Sequence, residues 1–368
     1  MFDDSRIYDI QMQMSADDWQ SVLDDTRGDE LRPATVTIDG VTVTNIGIRP
    51  AGESSRVPGN AKMSMRVEFK AFEDKPVGGL DEVKLTGSWD DPFIVRDRLG
   101  YWVYRQVMPA PRIVAARLTV NGQARGIYEI EEVWDKDSLK ERFTDASGPL
   151  YRIRGLTNLD PYEYKGLDAA AYVPLPWDPK GKRDEADHAV IGEALRVLTE
   201  EPQRIGDVMD VDALLTYFAV SAIVANTDGF TGPFEVDDHF QYFDPATRRF
   251  VILPWDPDNT FGSINDLPDA DIFLNYQRCL VTRMVSQGQL RDAFLTKLEQ
   301  VMQKIPAAAI QAQADALVAQ VRPLVEQDST KMYPTSSFEW SLGYVKDWIH
   351  ARYLSINDQI ARARAGQP

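Results

Sequence analysis

The chain changes its hydrophobic periodicity once, near Asp135, and this change limits its fold more than any other feature. Before that point apolar and polar residues alternate, as in half-buried β-strands. After it apolar residues recur every three or four positions over long segments, as in amphipathic helices. The sequence therefore predicts an α+β protein. Its β-rich N-terminal part, residues 1–134, carries one main helix and is separated by a cleft from a helical C-terminal part, residues 135–368.

The N-terminal part contains two strong turn signals, Asp39-Gly40 and Asn121-Gly122. Both dipeptides accept the positive φ values of a type I′ turn, so each predicts a tight β-hairpin. Ser15 with Asp18 predicts the start of a short helix. Asp91 with Pro92 predicts the start of the main helix. Strands are predicted over residues 8–14, 36–38, 41–43, 46–49, 62–69, 113–120 and 127–133.

The C-terminal part has helical periodicity with one β interruption. Helices are predicted over residues 135–143, 185–198, 211–225, 290–304, 307–325 and 340–363. A hairpin is predicted from residues 239–243 and 250–253, around Asp244-Pro245. The proline-rich residues 172–183 predict a loop. The most apolar helix, 211–225, is too short to span a membrane and is expected to be buried.

Acidic residues outnumber basic ones by 57 to 40, which gives a net charge of −17. A field of that sign repels nucleic acid and anionic lipid, so we expect neither as a partner. It suits a basic protein substrate, or simply solubility. The single cysteine, Cys279, excludes disulfides and cysteine-rich zinc sites. The first residues have neither a basic start nor an apolar stretch, so the sequence predicts no signal peptide.

Two carboxylate motifs are candidates for chemistry. A predicted strand leads into Asp256 and Asp258, followed by Asn259. Mg²⁺ is held by one or two such carboxylates together with substrate phosphates. Asn226-Thr227-Asp228 ends the most apolar helix, where a helix meets a loop and catalytic groups are often presented. The alternative for both motifs is that the aspartates only cap turns.

The N-terminal part supplies the opposite charge. Lys62 and Arg66 share the polar face of a predicted strand with Ser64 and Glu68. Such bases either hold phosphates or form an ordinary solvated face. Residues 52–55 are predicted to form a loop whose backbone N–H groups are candidates for binding an anion, although the segment lacks the usual phosphate-binding signatures. The three histidines are too scattered to predict a zinc site.

Taken in order, these segments resemble the CotH kinase family, an atypical branch of the protein-kinase-like fold. The matching stretches are Gly47-Ile48-Arg49-Pro50-Ala51-Gly52-Glu53-Ser54-Ser55, Lys62-Met63-Ser64-Met65-Arg66-Val67-Glu68-Phe69, Asp91-Pro92-Phe93-Ile94-Val95-Arg96-Asp97-Arg98-Leu99, Pro109-Ala110-Pro111-Arg112, Asn121-Gly122 through Glu132, Gly148-Pro149-Leu150-Tyr151-Arg152, Asn226-Thr227-Asp228 and Pro254-Trp255-Asp256-Pro257-Asp258-Asn259-Thr260-Phe261-Gly262. The resemblance covers roughly residues 5–265, and several motifs in the right order are hard to produce by chance.

The resemblance implies a two-lobed fold that uses ATP with Mg²⁺ or Mn²⁺. Asp228 would be the catalytic aspartate that orients and deprotonates the acceptor hydroxyl. Asp256 would bind the metal, with Asp258 and His239 as further ligands. The nucleotide-binding residues implied by the resemblance are Lys62 and Arg66 at the phosphates, Ser54 and Ser55 in the covering loop, Asp97 on the helix, Glu132 near the adenine, and Arg152.

The resemblance also implies a protein kinase acting on Ser or Thr hydroxyls of a protein. From the acidic net charge we expect that substrate to be basic, and we expect it to be serine-rich. We expect a monomer located outside the cytoplasm, at a bacterial coat or envelope. Phe240 and Glu53 stand where the family has asparagine, and they favour a catalytically weak or inactive pseudokinase-like scaffold as the alternative. A glycoside hydrolase using Asp228 and Asp256 as its carboxylate pair is a third interpretation.

Overall fold

The computed structural model describes residues 1–52, 55–72, 79–155, 159–181, 184–232, 236–263, 267–273 and 275–366. The chain forms two compact units, each built from separate stretches of sequence. The first unit contains Met1–Arg98, Pro111–Ser138 and Gln313–Tyr344. The second contains Leu99–Ala110, Leu139–Ala312 and Val345–Pro368.

The elements follow in chain order. The strands are β1 Tyr8–Gln13, β2 Arg32–Ile38, β3 Val41–Pro50, β4 Met65–Glu68, β5 Glu82–Thr86, β6 Ile113–Val120, β7 Gln123–Glu132, β8 Leu150–Ile153, β9 Trp177–Pro179, β10 His239–Asp244 and β11 Arg249–Pro254. The α-helices are α1 Ala16–Asp24, α2 Arg96–Arg105, α3 Lys136–Lys140, α4 Ala189–Glu200, α5 Ile205–Val208, α6 Val211–Val224, α7 Leu280–Val285, α8 Gly288–Lys304, α9 Ala307–Gln327 and α10 Thr335–Arg364. The predicted α+β class is confirmed.

In the first unit, β1 to β7 close into a barrel in the order β1-β2-β3-β4-β5-β7-β6. The closure depends on β1, which pairs antiparallel with β2 and parallel with β6. Alternate residues of the strands fill the interior, among them Ile10, Ile48, Val67, Leu85 and Ile130. We had not predicted a closed barrel, because the pair that closes it joins residues about 108 positions apart, such as Tyr8 and Ala116.

Both predicted N-terminal hairpins are present. Ile38 pairs with Val41 across Asp39-Gly40, and Val120 pairs with Gln123 across Asn121-Gly122. All four turn residues have positive φ, as a type I′ turn requires. Ser15 caps α1 by accepting a 3.0 Å hydrogen bond from the Asp18 N–H.

Two N-terminal predictions need correction. Helix α2 begins at Arg96, because Asp91 accepts hydrogen bonds from the Phe93 N–H and from the Arg96 side chain in a turn that precedes the helix. Strand β4 covers only residues 65–68, although the predicted apolar face, which includes Met63 and Phe69, is buried.

In the second unit, β8 to β11 form a sheet in the order β11-β10-β8-β9. The predicted hairpin of β10 and β11 is present, whereas β8 and β9 were missed. Strand β9 lies in the segment predicted as a loop. Helix α6 is buried along nearly its whole length. None of the helices in the described part of the chain is both long and apolar enough to cross a membrane.

Candidate active site

Asp228 follows the C-terminal end of α6 in the second unit. The helix ends at Val224, and its C-cap residue, Ala225, has a left-handed φ of 47°. The Asn226 side-chain oxygen then accepts a 3.2 Å hydrogen bond from the Asp228 N–H. A non-glycine residue in the left-handed region costs about 1–2 kcal/mol, so the surrounding structure must enforce this turn.

Asp256 follows β11 in a similar way and also has a positive φ, 48°. Its N–H donates to the Tyr101 hydroxyl at 2.9 Å. Farther along, the Phe261 N–H donates to the carbonyl oxygen of Val224, the last residue of α6, at 2.8 Å. The loop that carries Asp256 is therefore fastened to the end of the helix that precedes Asp228.

Asn259 joins the two motifs directly. Its side-chain amide donates to Oδ2 of Asp228 at 3.4 Å and to Oδ1 of Asp258 at 2.9 Å. Its carbonyl oxygen accepts from the Thr227 N–H at 3.0 Å. Two motifs that lie about 28 residues apart in sequence are thus brought together, as expected if they form one site.

Asp238 is a buried carboxyl group that interacts electrostatically with Asp228, the predicted base, and with Asp256, the predicted metal ligand. Burial raises its pKa well above the usual range. Arg152 opposes this shift through a 3.0 Å ion pair, whereas Asp256, Asp237 and Asp228 raise the pKa further. The repulsion among these aspartates shows that like charges are gathered in this part of the second unit. Arg152, predicted as a nucleotide ligand, is paired with Asp238 here.

His239 is held inside the protein by both ring nitrogens. Nδ1 contacts the Asp237 carbonyl oxygen at 2.7 Å, and Nε2 contacts the Tyr162 hydroxyl at 2.8 Å. Burial lowers the pKa of the imidazole to about 3. These contacts give His239 a structural role and leave neither nitrogen available to a metal. The neighbouring Phe240 is also buried and packs edge-on against Trp255.

The oxygen ligands near Asp256 fit a cation that a nucleotide brings with it. No three His, Cys, Asp or Glu side chains in the described ranges are arranged to hold a metal ion by themselves. Mg²⁺ needs only one or two carboxylates when substrate phosphates and water complete its shell. Asp256 and Asp258 supply oxygen ligands of that kind, whereas a site built from protein ligands alone does not fit.

Lys62, in the first unit, is buried and forms a 2.9 Å ion pair with Asp328. Its ammonium group also donates to the carbonyl oxygens of Ile127 and Arg125. An ammonium group has three hydrogens, and three acceptors surround this one. These contacts leave no hydrogen of Lys62 for a phosphate, contrary to the role that the resemblance implied.

The other predicted nucleotide residues of the first unit that the structure describes are buried or half-buried. Arg66 pairs with Glu82 at 3.2 Å, and the Ser55 hydroxyl donates to the Ala51 carbonyl oxygen at 3.1 Å. Asp97 is buried in the first turn of α2. Glu132 is buried and accepts hydrogen bonds from Nε and from one terminal nitrogen of Arg112. Ser54 and Glu53 lie outside the described residues.

Lys84 is a buried base that we had missed. It lies on β5 directly opposite Glu131 of β7, and the two side chains form a 3.0 Å ion pair. The Thr86 hydroxyl also donates to Glu131, at 3.1 Å. The alternation from Glu82 to Thr86 was the available signal, but five residues between two loops gave too short a pattern to identify.

A model of a known protein family matches most of the chain. The family model described as CotH kinase protein matches residues 48–356. The match extends beyond residue 265 through the C-terminal helices, where no motif was recognised. A search of curated proteins gave no match. Since the family model spans more than half of the sequence, the chain belongs to the CotH kinase family.

Proposed function

We propose that this protein is a phosphotransferase that uses ATP with Mg²⁺ or Mn²⁺ to phosphorylate Ser or Thr hydroxyls of a protein substrate. The observation that carries the proposal is the position of Asn259, whose amide donates to both Asp228 and Asp258. Phosphoryl transfer depends mainly on positioning and on neutralising charge. One amide that fixes the candidate base relative to a candidate metal ligand supports that chemistry.

In this proposal Asp228 accepts a hydrogen bond from the acceptor hydroxyl, orients it, and takes its proton as the oxygen attacks the γ-phosphorus of ATP and ADP leaves with the bridging oxygen. Asn259 keeps the Asp228 carboxylate in orientation. Asp256 and Asp258 hold the cation, and His239 is left out of the ligand set. When bound, the cation would neutralise phosphate charge.

We assign the phosphate-contacting base to Lys84 instead of Lys62. Protein kinases use a strand lysine paired with a glutamate for this contact, the glutamate lying on a helix, whereas Glu131 lies on a strand. Lys84 pairs with Glu131, and both side chains are almost completely buried. The assignments of Arg66, Asp97, Arg152, Ser54, Ser55 and Glu132 to the nucleotide remain proposals.

Family membership supports association with a coat, and the finer points of location and partner belong to the proposal. We propose a two-lobed kinase-like arrangement with its boundary near residue 134, and an exported, monomeric protein. The net charge of −17 favours a basic substrate, which we propose to be serine-rich.

A scaffold without catalytic activity is the second candidate. Two observations favour it. Lys62 is fully engaged by Asp328 and backbone carbonyls. Phe240, where the family has asparagine, is a packed core residue. The glycoside hydrolase alternative receives no support from membership in a kinase family.

Phosphate transfer from labelled ATP to a basic, serine-rich peptide tests the proposal. We expect label on the peptide only when Mg²⁺ or Mn²⁺ is present, and none on the same peptide with every serine replaced by alanine. Asp292→Asn, a change at an exposed helical position, should leave transfer intact. Metal-dependent ATP binding without transfer would indicate the scaffold. The absence of any response to ATP would contradict the phosphotransferase and agree with the scaffold.

A further inference from the structure

Glu129 is a buried carboxyl group that the proposed chemistry does not use. It lies on β7 and is 1% exposed. Neither carboxyl oxygen has a hydrogen-bond partner among the described residues. Burying an ionised carboxylate without hydrogen bonds is costly, so the neutral form is favoured. Burial raises the pKa of Glu129 to about 8.

The position of Glu129 brings it near the Lys84–Glu131 ion pair. Glu129 and Glu131 are two residues apart on β7, so their side chains project from the same face of the strand. Across the ladder, Lys84 is opposite Glu131 and Thr86 is opposite Glu129. Lys84 is therefore the diagonal neighbour of Glu129, a separation that a long side chain can bridge. Strand β6, on the other side, presents the uncharged Ala115.

The charged groups that act on Glu129 are Arg98 of α2, Glu131 of its own strand, Asp91 before α2, and Lys84 of β5. Lys84 is balanced by Glu131, and Asp91 is bound by Arg96 at 2.9 Å. Arg98 is also buried. One of its terminal nitrogens donates to Gln320 at 2.7 Å, whereas the other has no hydrogen-bond partner in the described part of the chain. Asp4 also attracts Arg98 electrostatically.

We infer that Glu129 is a proton-dependent positioning residue for Lys84. While Glu129 is neutral, it does not compete with Glu131 for the Lys84 ammonium group, and Lys84 keeps the orientation of the Lys84–Glu131 ion pair. When Glu129 loses its proton, two carboxylates on one strand face compete for the Lys84 ammonium group, and Arg98 is drawn toward Glu129. The role of Lys84 in nucleotide binding rests on the proposed function, whereas its response to Glu129 does not.

The first test is the pH dependence of unfolding of the wild type and Glu129→Gln, which mimics the neutral form. A carboxyl pKa raised by folding stabilises the folded state at low pH, and this advantage is lost as pH rises through the folded value. The unfolding constant of the wild type relative to the variant should rise about tenfold per pH unit up to about 8 and then level off. A constant ratio between pH 6 and 9 would overturn the inference.

The second test follows Lys84 itself by NMR, with lysine side chains labelled with ¹³C at the ε position and Lys84→Met used for assignment. The Lys84 signal should shift with a midpoint near pH 8 in the wild type and stay constant in Glu129→Gln. A wild-type signal without this midpoint would overturn the inference. The wild-type titration gives this result even if Glu129→Gln does not fold.

Binding of ATP with Mg²⁺ over the same pH range separates this inference from the proposed function. We expect affinity to fall several-fold above pH 8 in the wild type relative to Glu129→Gln. Identical pH profiles of binding would overturn the positioning role. If neither protein binds ATP at any pH, the proposed function fails, and the NMR titration still decides the inference.

Discussion

Two charged groups can be compared, the Asp228 group of the second unit (Asp228, Asp238, Asp256, Asp258 and Asn259) and the Lys62 group of the first (Lys62, Gly126 and Asp328). Both are assembled from distant parts of the sequence, but Asp228, Asp256, Asp258 and Asn259 are half-buried, whereas Lys62 and Asp328 are buried. Around Asp228 like charges are gathered. Burial raises the pKa of Asp238, the Arg152 ion pair opposes this shift, and neighbouring aspartates raise the pKa further. Around Lys62 opposite charges are matched. Burial lowers the pKa of Lys62 and acts to raise that of Asp328, but Lys62 and Thr330 hold the pKa of Asp328 below its usual range.

The two groups also differ in the backbone strain that they contain. Two non-glycine residues at the Asp228 group have positive φ: Ala225, which precedes the Asp228 motif, and Asp256 itself. In the Lys62 group the residue with positive φ is Gly126, where glycine adopts this geometry at no steric cost. Strain and charge repulsion are typical of functional sites, and matched charges without strain are typical of structural ones. The comparison therefore supports catalysis at Asp228 and a stabilising role for Lys62.

The largest effect on stability is expected from Asp328→Ala. The change leaves the buried Lys62 ammonium group without its carboxylate partner, and it removes the acceptor of the Ile127 N–H. Loss of one partner of a buried ion pair typically costs about 3–5 kcal/mol in the free energy of unfolding. Urea denaturation measures this value.

Glu339→Ala is the matched control. Glu339 forms an ion pair with Arg322 in which both side chains are more than one third exposed. Its loss should cost about 1 kcal/mol or less, because exposed pairs contribute little. Equal losses in the two variants would show that the Lys62 group is not the stabilising element that its burial indicates.

Gly126→Ala should lower the free energy of unfolding more than Gly122→Ala does. We expect this difference to be smaller than the loss caused by Asp328→Ala. Both glycines have φ near +75°, so alanine is strained equally at both, by about 1–2 kcal/mol. A Cβ at Gly126 would also lie 2.0 Å from the Asp328 carboxyl group, whereas a Cβ at Gly122 meets nothing within 4 Å. The difference in the free energy of unfolding between the variants measures how firmly Asp328 is held. Similar values for both would mean that Asp328 moves away easily.

Local signals predicted much of the fold. The Asp39-Gly40 and Asn121-Gly122 turns placed four strands, because a type I′ turn is decided by two residues. The buried helix α6 was evident from its continuous apolar sequence. Strands β5, β8 and β9 are at most five residues long, and their pairing partners, rather than their own patterns, define them.

Site residues could be predicted where neighbouring residues in the sequence form a motif, and could not be predicted where a role depends on a distant residue. Asp228 and Asp256 follow a helix and a strand that the sequence indicates, and the structure joins their two motifs through Asn259, which donates to Asp228 and Asp258. The sequence predicted that Lys62 binds a phosphate because it gave no sign of another partner. That partner, Asp328, lies 266 residues away in a segment without a motif. A short polar stretch gives no sign of which distant side chain will neutralise it.

The central claim is that Asp228 acts as the base and Asp256 as a metal ligand, and nucleotide binding measured alongside turnover in two variants tests it most directly. Asp256→Asn should abolish metal-dependent ATP binding. Asp228→Asn should leave ATP binding largely intact and lower turnover by about 100-fold or more, the scale for loss of a positioned base. Loss of ATP binding in Asp228→Asn together with normal binding in Asp256→Asn would contradict the assignment.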